Sequence, residues 1–292
     1  MIPSSFEYES PTTIQEALDL LEKYGDEGKI LSGGHSLIPM MKLRFASPEC
    51  LIDINNIPGL SHIVLEGNTV KIGSLVREAE IEHSDLLLRH YPIFADVTKL
   101  IADPQVRNRG TIGGNLAHGD AANDHPAVMM ALNATIMITN KEGVREVPID
   151  EFFFGFYTTA VQENEILTEI QIPVPPKGTG SAYHKLERKV GDYATAGVAV
   201  QLTLDTNGIC TEIGIGLTNV NPVPLRAARS EDALRGKKIT DETLAEAVQY
   251  ASEDCNPSAD LRGSEEYKRA MVGVLVKRMV HKAAERASQP CN

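Results

Sequence analysis

A chain of 292 residues, 42% of them hydrophobic, is long enough to bury a core in two or three compact units. Its 28 Lys and Arg against 40 Asp and Glu leave a net charge of -12, so it lacks the positive field that nucleic-acid phosphates or an anionic membrane surface demand. No run approaches the roughly eighteen apolar residues of a membrane span, and "MIPSSFEYES" has neither the basic nor the apolar region of a secretory leader, so the expectation is a cytoplasmic protein. Cys50, Cys210, Cys255 and Cys291 stand far apart without a C-x-x-C pair, which excludes the usual thiolate spacings for zinc or an iron–sulfur cluster; they read as free thiols.

In chain order, "SPTTIQEALDLLEKYG" predicts a helix with Ser10 as cap, Pro11 in its first turn, an apolar face of Ile14, Ala17, Leu18 and Leu21, and Gly25 closing it. "KILSGGHSL" carries an apolar run into a Gly pair, and "CLIDI" offers a second short buried strand, giving a small α/β unit. "IVLEGNTVKIGSL" predicts a hairpin turning at Gly67-Asn68, and "VREAEIEHSDLLLRHYPIFADVTKLI" has helical spacing broken by Pro92. "HPAVMMALNATIMITNKEGVREVPI" predicts a short helix and then a strand pair around Asn140 to Gly143, followed by a strand in "EILTEIQIP".

"PVPPKGTGSA", Pro173 to Ala182, concentrates Pro and Gly and reads as a domain boundary. Beyond it Val198, Val200, Leu202 and Leu204 alternate up to a turn at Asn207-Gly208, and Ile209, Ile213, Ile215 and Leu217 resume the pattern. "TDETLAEAVQYAS" and "SEEYKRAMVGVLVKRMVHKAAERA" close the chain as amphipathic helices, and "SQPCN" reads as a frayed tail.

Two Gly pairs follow apolar runs: Gly33-Gly34 in "LSGGHSL" and Gly113-Gly114 in "TIGGN". Paired glycines let consecutive amides point into one concavity, which suits a pyrophosphate held by dipoles in an acidic chain, with Ser32, Ser36, Thr111 and Asn115 adding neutral donors. The fingerprint G-x-G-x-x-G is incomplete at "GIGIGLTN", where Asn219 replaces the third Gly, and no P-loop occurs, which disfavours a Rossmann or P-loop site. "HGDAANDH" supplies His118, Asp120, Asp124 and His125, readable as a metal cluster, as turn and capping residues, or as carboxylates that accept from sugar hydroxyls. Tyr183 and Tyr193 flank "HKLERKVGD" as core aromatics or as a stacking surface for a flavin; in the short basic cluster "KLERK" only Lys185 is kept as a candidate.

"SGGHSL", "ADPQVRNRGTIGGNLAHGDAANDHPA", "EILTEIQIP", "GSAYHKLERKVGDYATAGVAVQL" and "DLRGSEEYKR" together resemble, in order and spacing, the FAD-binding medium subunit of molybdenum hydroxylases, with the carbon monoxide dehydrogenase branch nearest in pattern. The likeness runs from Phe6 to the last helix. It implies an α+β fold: a vanillyl-alcohol-oxidase (PCMH) type FAD-binding domain of two α/β subdomains, residues 1–56 and 57–176, and a C-terminal α+β domain, 177–288, with an antiparallel sheet and helices. It also implies that Ile30, Leu31, Ser32, Gly33, Gly34, His35, Ser36 and Leu37, with Thr111, Ile112, Gly113, Gly114 and Asn115, wrap the pyrophosphate through backbone amides. Asp124 would bind ribityl or ribose hydroxyls, Ile101 and Leu167 would line the adenine or ring pocket, Lys185 would approach the flavin, and Tyr193 would cover it.

The resemblance places no catalytic residue and no metal on this chain. A large molybdopterin subunit oxidises the substrate, a small subunit with two [2Fe-2S] clusters relays the electrons, and FAD passes them to a quinone, NAD or oxygen, in a dimer of heterotrimers that sits in the cytoplasm or against the inner face of the membrane. Ala121 stands where the carbon monoxide branch often has Pro, and Ser32 where it often has Ala. Nicotinate, aldehyde and other heterocycle hydroxylases use much the same subunit, so the pattern leaves the substrate open. A self-sufficient flavin oxidoreductase and a metal- or nucleotide-binding module built on "HGDAANDH" are the competing readings.

Overall fold

The computed structural model describes residues 2–289. The first unit contains β1 (Glu7–Glu9), α1 (Ile14–Tyr24), β2 (Gly28–Leu31), α2 (Leu37–Lys42) and β3 (Cys50–Asp53), with the strands parallel in the order β1-β3-β2. The cap of α1 is Thr13, not Ser10. Thr13 Oγ1 accepts from the Glu16 amide and the Glu16 carboxylate accepts from the Thr13 amide, each at 3.2 Å, a reciprocal pair that Ser10 has no Glu or Gln three residues on to make. Pro11 therefore lies ahead of the helix. Gly25 closes it at φ 52, and Ala17, Leu18 and Leu21 pack on Cys50 and Ile52.

The second unit is a five-stranded antiparallel sheet, β4 (Ile63–Glu66), β5 (Thr69–Gly73), β6 (Thr135–Asn140), β7 (Gly143–Pro148) and, after the short pair β8 (Phe153–Gly155) and β9 (Thr158–Thr159), β10 (Ile166–Pro173), in the order β4-β5-β10-β6-β7. Between β5 and β6 lie α3 (Glu78–Glu82), α4 (Asp85–His90), α5 (Ile93–Val97), α6 (Pro104–Arg107), α7 (Ile112–Ala117) and α8 (His125–Ala131). The helical stretch expected to break at Pro92 breaks twice, because the Ser84 hydroxyl accepts from the Leu87 amide and starts a new helix before Pro92 is reached.

The third unit is antiparallel, with β11 (Thr179–Leu186), β12 (Ala196–Leu204), β13 (Cys210–Thr218) and β14 (Leu225–Arg226) in sequential order, followed by α9 (Ala228–Leu234), α10 (Asp241–Asp254) and α11 (Glu265–Ser288). Strand β11 begins inside the segment read as a boundary, and α9 was not expected. The alternation predicted for β12 is a strand buried on both faces: α11 covers β11 and β12, and α8 covers β12 and β13. Glycines permit this contact. A Cβ on Gly180 would lie 2.1 Å from the Ala283 oxygen of α11, and one on Gly216 would lie 2.1 Å from the Ala127 oxygen of α8. Cys50, Cys210 and Cys255 are free and buried; Cys291 and most of the expected frayed tail lie outside the described residues. Among the described residues no helix is long and apolar enough to cross a membrane.

Asp96 of α5 joins the second unit to the third. It accepts from Lys282 Nζ at 2.8 Å, from Arg286 Nη1 at 2.7 Å and from the Tyr183 amide at 3.2 Å. Burial works against its charge, yet the Arg286 and Lys282 bonds outweigh burial and hold its carboxyl below the ordinary value. A lowered folded-state pKa adds stability that is present above the unfolded value of about 3.9 and is lost as pH falls through the folded one. Asp96→Asn should therefore lower the unfolding free energy by about 1.5–3 kcal/mol at neutral pH. Urea melts should show that deficit shrinking as pH falls below about 4.

Candidate functional site

Strand β2 delivers the chain into the turn Ser32–Ser36, and the segment after α6 delivers it into Thr111 at the start of α7. The two turns touch with no room for a side chain: a Cβ on Gly33 would stand 2.5 Å from the Arg109 oxygen and 2.8 Å from the Gly110 Cα. Gly34 has φ +74. Thr111 Oγ1 accepts from the Gly114 amide at 3.1 Å and donates to Ser32 Oγ at 3.1 Å. Two residues that sequence reasoning passed over brace this contact. Asn55 Nδ2 donates to the Ser32 oxygen at 2.9 Å, and Arg77 donates to both Asn55 Oδ1 and the Arg109 oxygen.

The loops differ in what their amides do. Among the described residues the amides of Gly33, Gly34, His35, Ser36 and Leu37 have no hydrogen-bond acceptor. In the second loop the Ile112 amide donates to the Val76 oxygen at 3.1 Å, that of Gly113 to the Ser74 oxygen at 3.0 Å, and that of Asn115 to the Thr111 oxygen at 2.9 Å. The first loop is thus an open nest of partial positive charge, and the second loop supports it.

A cavity of about 940 Å³, at the upper end of the size usual for small-molecule sites, runs past both loops and is walled by all three units. Ile30, Leu31, Ser32, Gly33, Gly34, His35, Ser36 and Leu37 border it from the first unit, and Ile101, Thr111, Gly113, Gly114, Asn115, Asp124 and Leu167 from the second. Lys185 and Tyr193 border it from the third. Ile112 does not: its side chain is fully buried in the core of the second unit.

The floor is charged and buried. Lys185 Nζ donates to Asp124 Oδ2 at 2.8 Å and to the Asp192 oxygen at 2.8 Å, and the Tyr183 hydroxyl donates to Asp124 Oδ1. Burial raises the Asp124 carboxyl above its ordinary value against the pull of Lys185 and Tyr183, and burial together with the Asp124 charge raises the Tyr183 phenol. His125, fully buried, lies 2.7 Å from Glu78 through Nε2 and Oε2. Burial lowers its basicity, but the charge and hydrogen bond of Glu78, with the charge of Asp124, outweigh burial and raise it.

The four candidate ligands of "HGDAANDH" turn to different partners and share none. Asp124 meets Lys185 and Tyr183, His125 meets Glu78, Asp120 accepts from the Ala122 amide, and His118 stacks on Tyr157 with ring centroids 4.8 Å apart. Of the two tyrosines, Tyr183 is a core residue; Tyr193 is partly exposed at the cavity, with the Arg262 guanidinium 5.7 Å from its ring centre. Ser74 Oγ, Glu78 Oε1 and Asn115 Oδ1 belong to cavity-lining residues and are sheltered polar atoms without a partner among the described residues.

Open amides for an anion, sheltered acceptors for hydroxyls and a flanking aromatic ring form a donor set that fits a flavin dinucleotide. Replacing Asp124 tests the floor independently of any ligand, because it removes the nearest carboxylate from buried Lys185 and leaves only the Asp192 oxygen at 2.8 Å and Glu187 at 3.7 Å. Asp124→Ala should lower the unfolding free energy of the ligand-free chain by about 3–5 kcal/mol in denaturant titration.

The family described as "FAD binding domain in molybdopterin dehydrogenase" matches residues 4–175, and "CO dehydrogenase flavoprotein C-terminal domain" matches residues 181–283. The carbon monoxide dehydrogenase medium chain of Hydrogenophaga pseudoflava is 49% identical over 288 residues, covering 99% of this chain and 100% of that one. The medium chain of the same enzyme from Afipia carboxidovorans is 46% identical over 287 residues, covering 98% and 99%. A solved structure of the Hydrogenophaga pseudoflava carbon monoxide dehydrogenase, lacking the Mo-pyranopterin moiety of its cofactor, superposes with a TM-score of 0.96 over 98% of this chain and 99% of that one, at 50% identity. The chain belongs to the family of FAD-binding medium subunits of molybdenum hydroxylases, of the carbon monoxide dehydrogenase type.

Proposed function

We propose that the 940 Å³ cavity holds FAD, that electrons reach it from [2Fe-2S] clusters on a small partner subunit, and that a large molybdopterin subunit of the same complex oxidises carbon monoxide. The observation that carries the placement is the run of five amides, Gly33 to Leu37, without acceptors among the described residues and beside the cavity. In this reading those amides receive the pyrophosphate, and the second loop, Thr111 to Asn115, fixes their position and contributes the free Asn115 Oδ1. Lys185 and Tyr183 orient Asp124 toward the sugar hydroxyls, Ile101 and Leu167 supply apolar wall, and Tyr193 covers the ring. Bound FAD supplies the redox chemistry, and the protein's part is binding, orientation and exclusion of water.

The division into residues 1–56, 57–176 and 177–288 belongs to the same reading, and the three larger sheets support it. So do a dimer of heterotrimers, a cytoplasmic setting against the inner face of the membrane, and an external acceptor that is a quinone, NAD or oxygen. Support for carbon monoxide comes from the full-length identity to two carbon monoxide dehydrogenase medium chains. Isolation of the full chain with its partners tests the whole. The expected complex shows one FAD per copy of this chain and reduces a dye when given carbon monoxide; a complex that reduces the dye only with an aldehyde or heterocycle would reassign the substrate and leave the FAD role intact. Gly33→Ala should give complex assembled but largely free of flavin, because the added methyl parts the loops. Full flavin occupancy in that variant would overturn the placement.

A further inference from the structure

We propose that Ser74 and Glu78 form a third contact segment for the cofactor, in which the Glu78 carboxylate, fixed by His125, accepts a hydrogen bond from a hydroxyl or imide donor of the flavin half. The proposal rests on the FAD reading above. Glu78 is 2% exposed, borders the cavity and has one oxygen engaged by His125, while Oε1 has no partner among the described residues. Ser74, four residues earlier and 3% exposed, borders the same cavity with its hydroxyl equally unpartnered.

Both residues lie beneath the second loop. The Glu78 amide donates to the Gly110 oxygen and the Gly113 amide to the Ser74 oxygen, each at 3.0 Å. A sheltered carboxylate oxygen left without a donor is costly, and the nearby amides of Arg77, Glu78, Gly110 and Gly113 all donate elsewhere. Charge decides which part of the ligand lies there. A carboxylate repels phosphate, so the pyrophosphate belongs at the open amides of Gly33 to Leu37, and Glu78 faces the uncharged, hydrogen-bearing ribityl and ring. Asp124 already takes a bond on each oxygen, from Tyr183 and Lys185, which leaves Glu78 Oε1 the freer acceptor.

Flavin-free full chain, unmodified and as Glu78→Gln and Glu78→Asp, is titrated separately with FAD, riboflavin and ADP, with circular dichroism reporting the fold. Affinity for FAD and for riboflavin should fall about 10- to 100-fold in both variants, while that for ADP stays within about twofold. His125→Gln, which alters a positioning residue, should weaken the same two ligands, and the double variant Glu78→Gln/His125→Gln should be no weaker than Glu78→Gln alone. A folded Glu78 variant that binds FAD as the unmodified chain does overturns the proposal and leaves the FAD reading standing. So does a loss shared by ADP, which would put Glu78 beside the adenylate, or failure of both Glu78 variants to fold, which would make it a core residue. Unmodified chain that binds no FAD overturns the FAD reading and the proposal together.

Discussion

The approach of Gly33 to the Arg109–Gly110 backbone, too close for a single methyl group, holds the site together. It brings the end of a parallel sheet in the first unit against the start of a helix in the second. Everything else at the seam follows from keeping those backbones in register: the Thr111–Ser32 hydroxyl bond, the Asn55 and Arg77 braces, and the diversion of the second loop's amides to Val76 and Ser74. The second loop's amides are thus engaged by the core, while the five of the first loop have no acceptor among the described residues.

The electrostatics are those of an acidic chain that must accept an anion. With a net charge of -12, a lysine placed to neutralise a phosphate would sit in a field that favours its pairing elsewhere, and Lys185 is so paired, with Asp124. Amide dipoles carry no net charge, so the acidic field of the chain does not draw them toward carboxylates as it draws a lysine, and the amides of Gly33 to Leu37 have no carboxylate partner among the described residues. The buried floor then has opposed charges in contact, Lys185 with Asp124 and His125 with Glu78, so that its net charge is small, while the Glu78 oxygen without a partner among the described residues still disfavours a phosphate beside it.

What was legible in the sequence is what local chemistry dictates. The hairpins at Gly67-Asn68 and Asn207-Gly208, the Gly25 stop and the two Gly pairs are each forced by a turn or a close approach within a few residues. Strand β11 is not legible because its two faces are both covered and it shows no alternation, and Ser10 stands ahead of Thr13 as an equally good cap until the Glu16 three residues beyond Thr13 is weighed. Asn55, Arg77, Ser74 and Glu78 left no local trace. Asn55 reaches a residue 23 positions away, Arg77 one 32 away and Glu78 one 47 away, distances at which spacing carries no periodic signal.

The ion pair between Asp124 and Lys185 spans 61 residues and crosses from the second unit to the third. During synthesis the first two units leave the ribosome with both glycine loops of the cavity but without Tyr193, without the cation that balances its floor, and without the sheet on which α8 rests. A carboxylate destined for burial stays in water until β11 emerges and docks. The cavity therefore cannot be walled on all sides until the chain has been made past Tyr193, about two-thirds of its length.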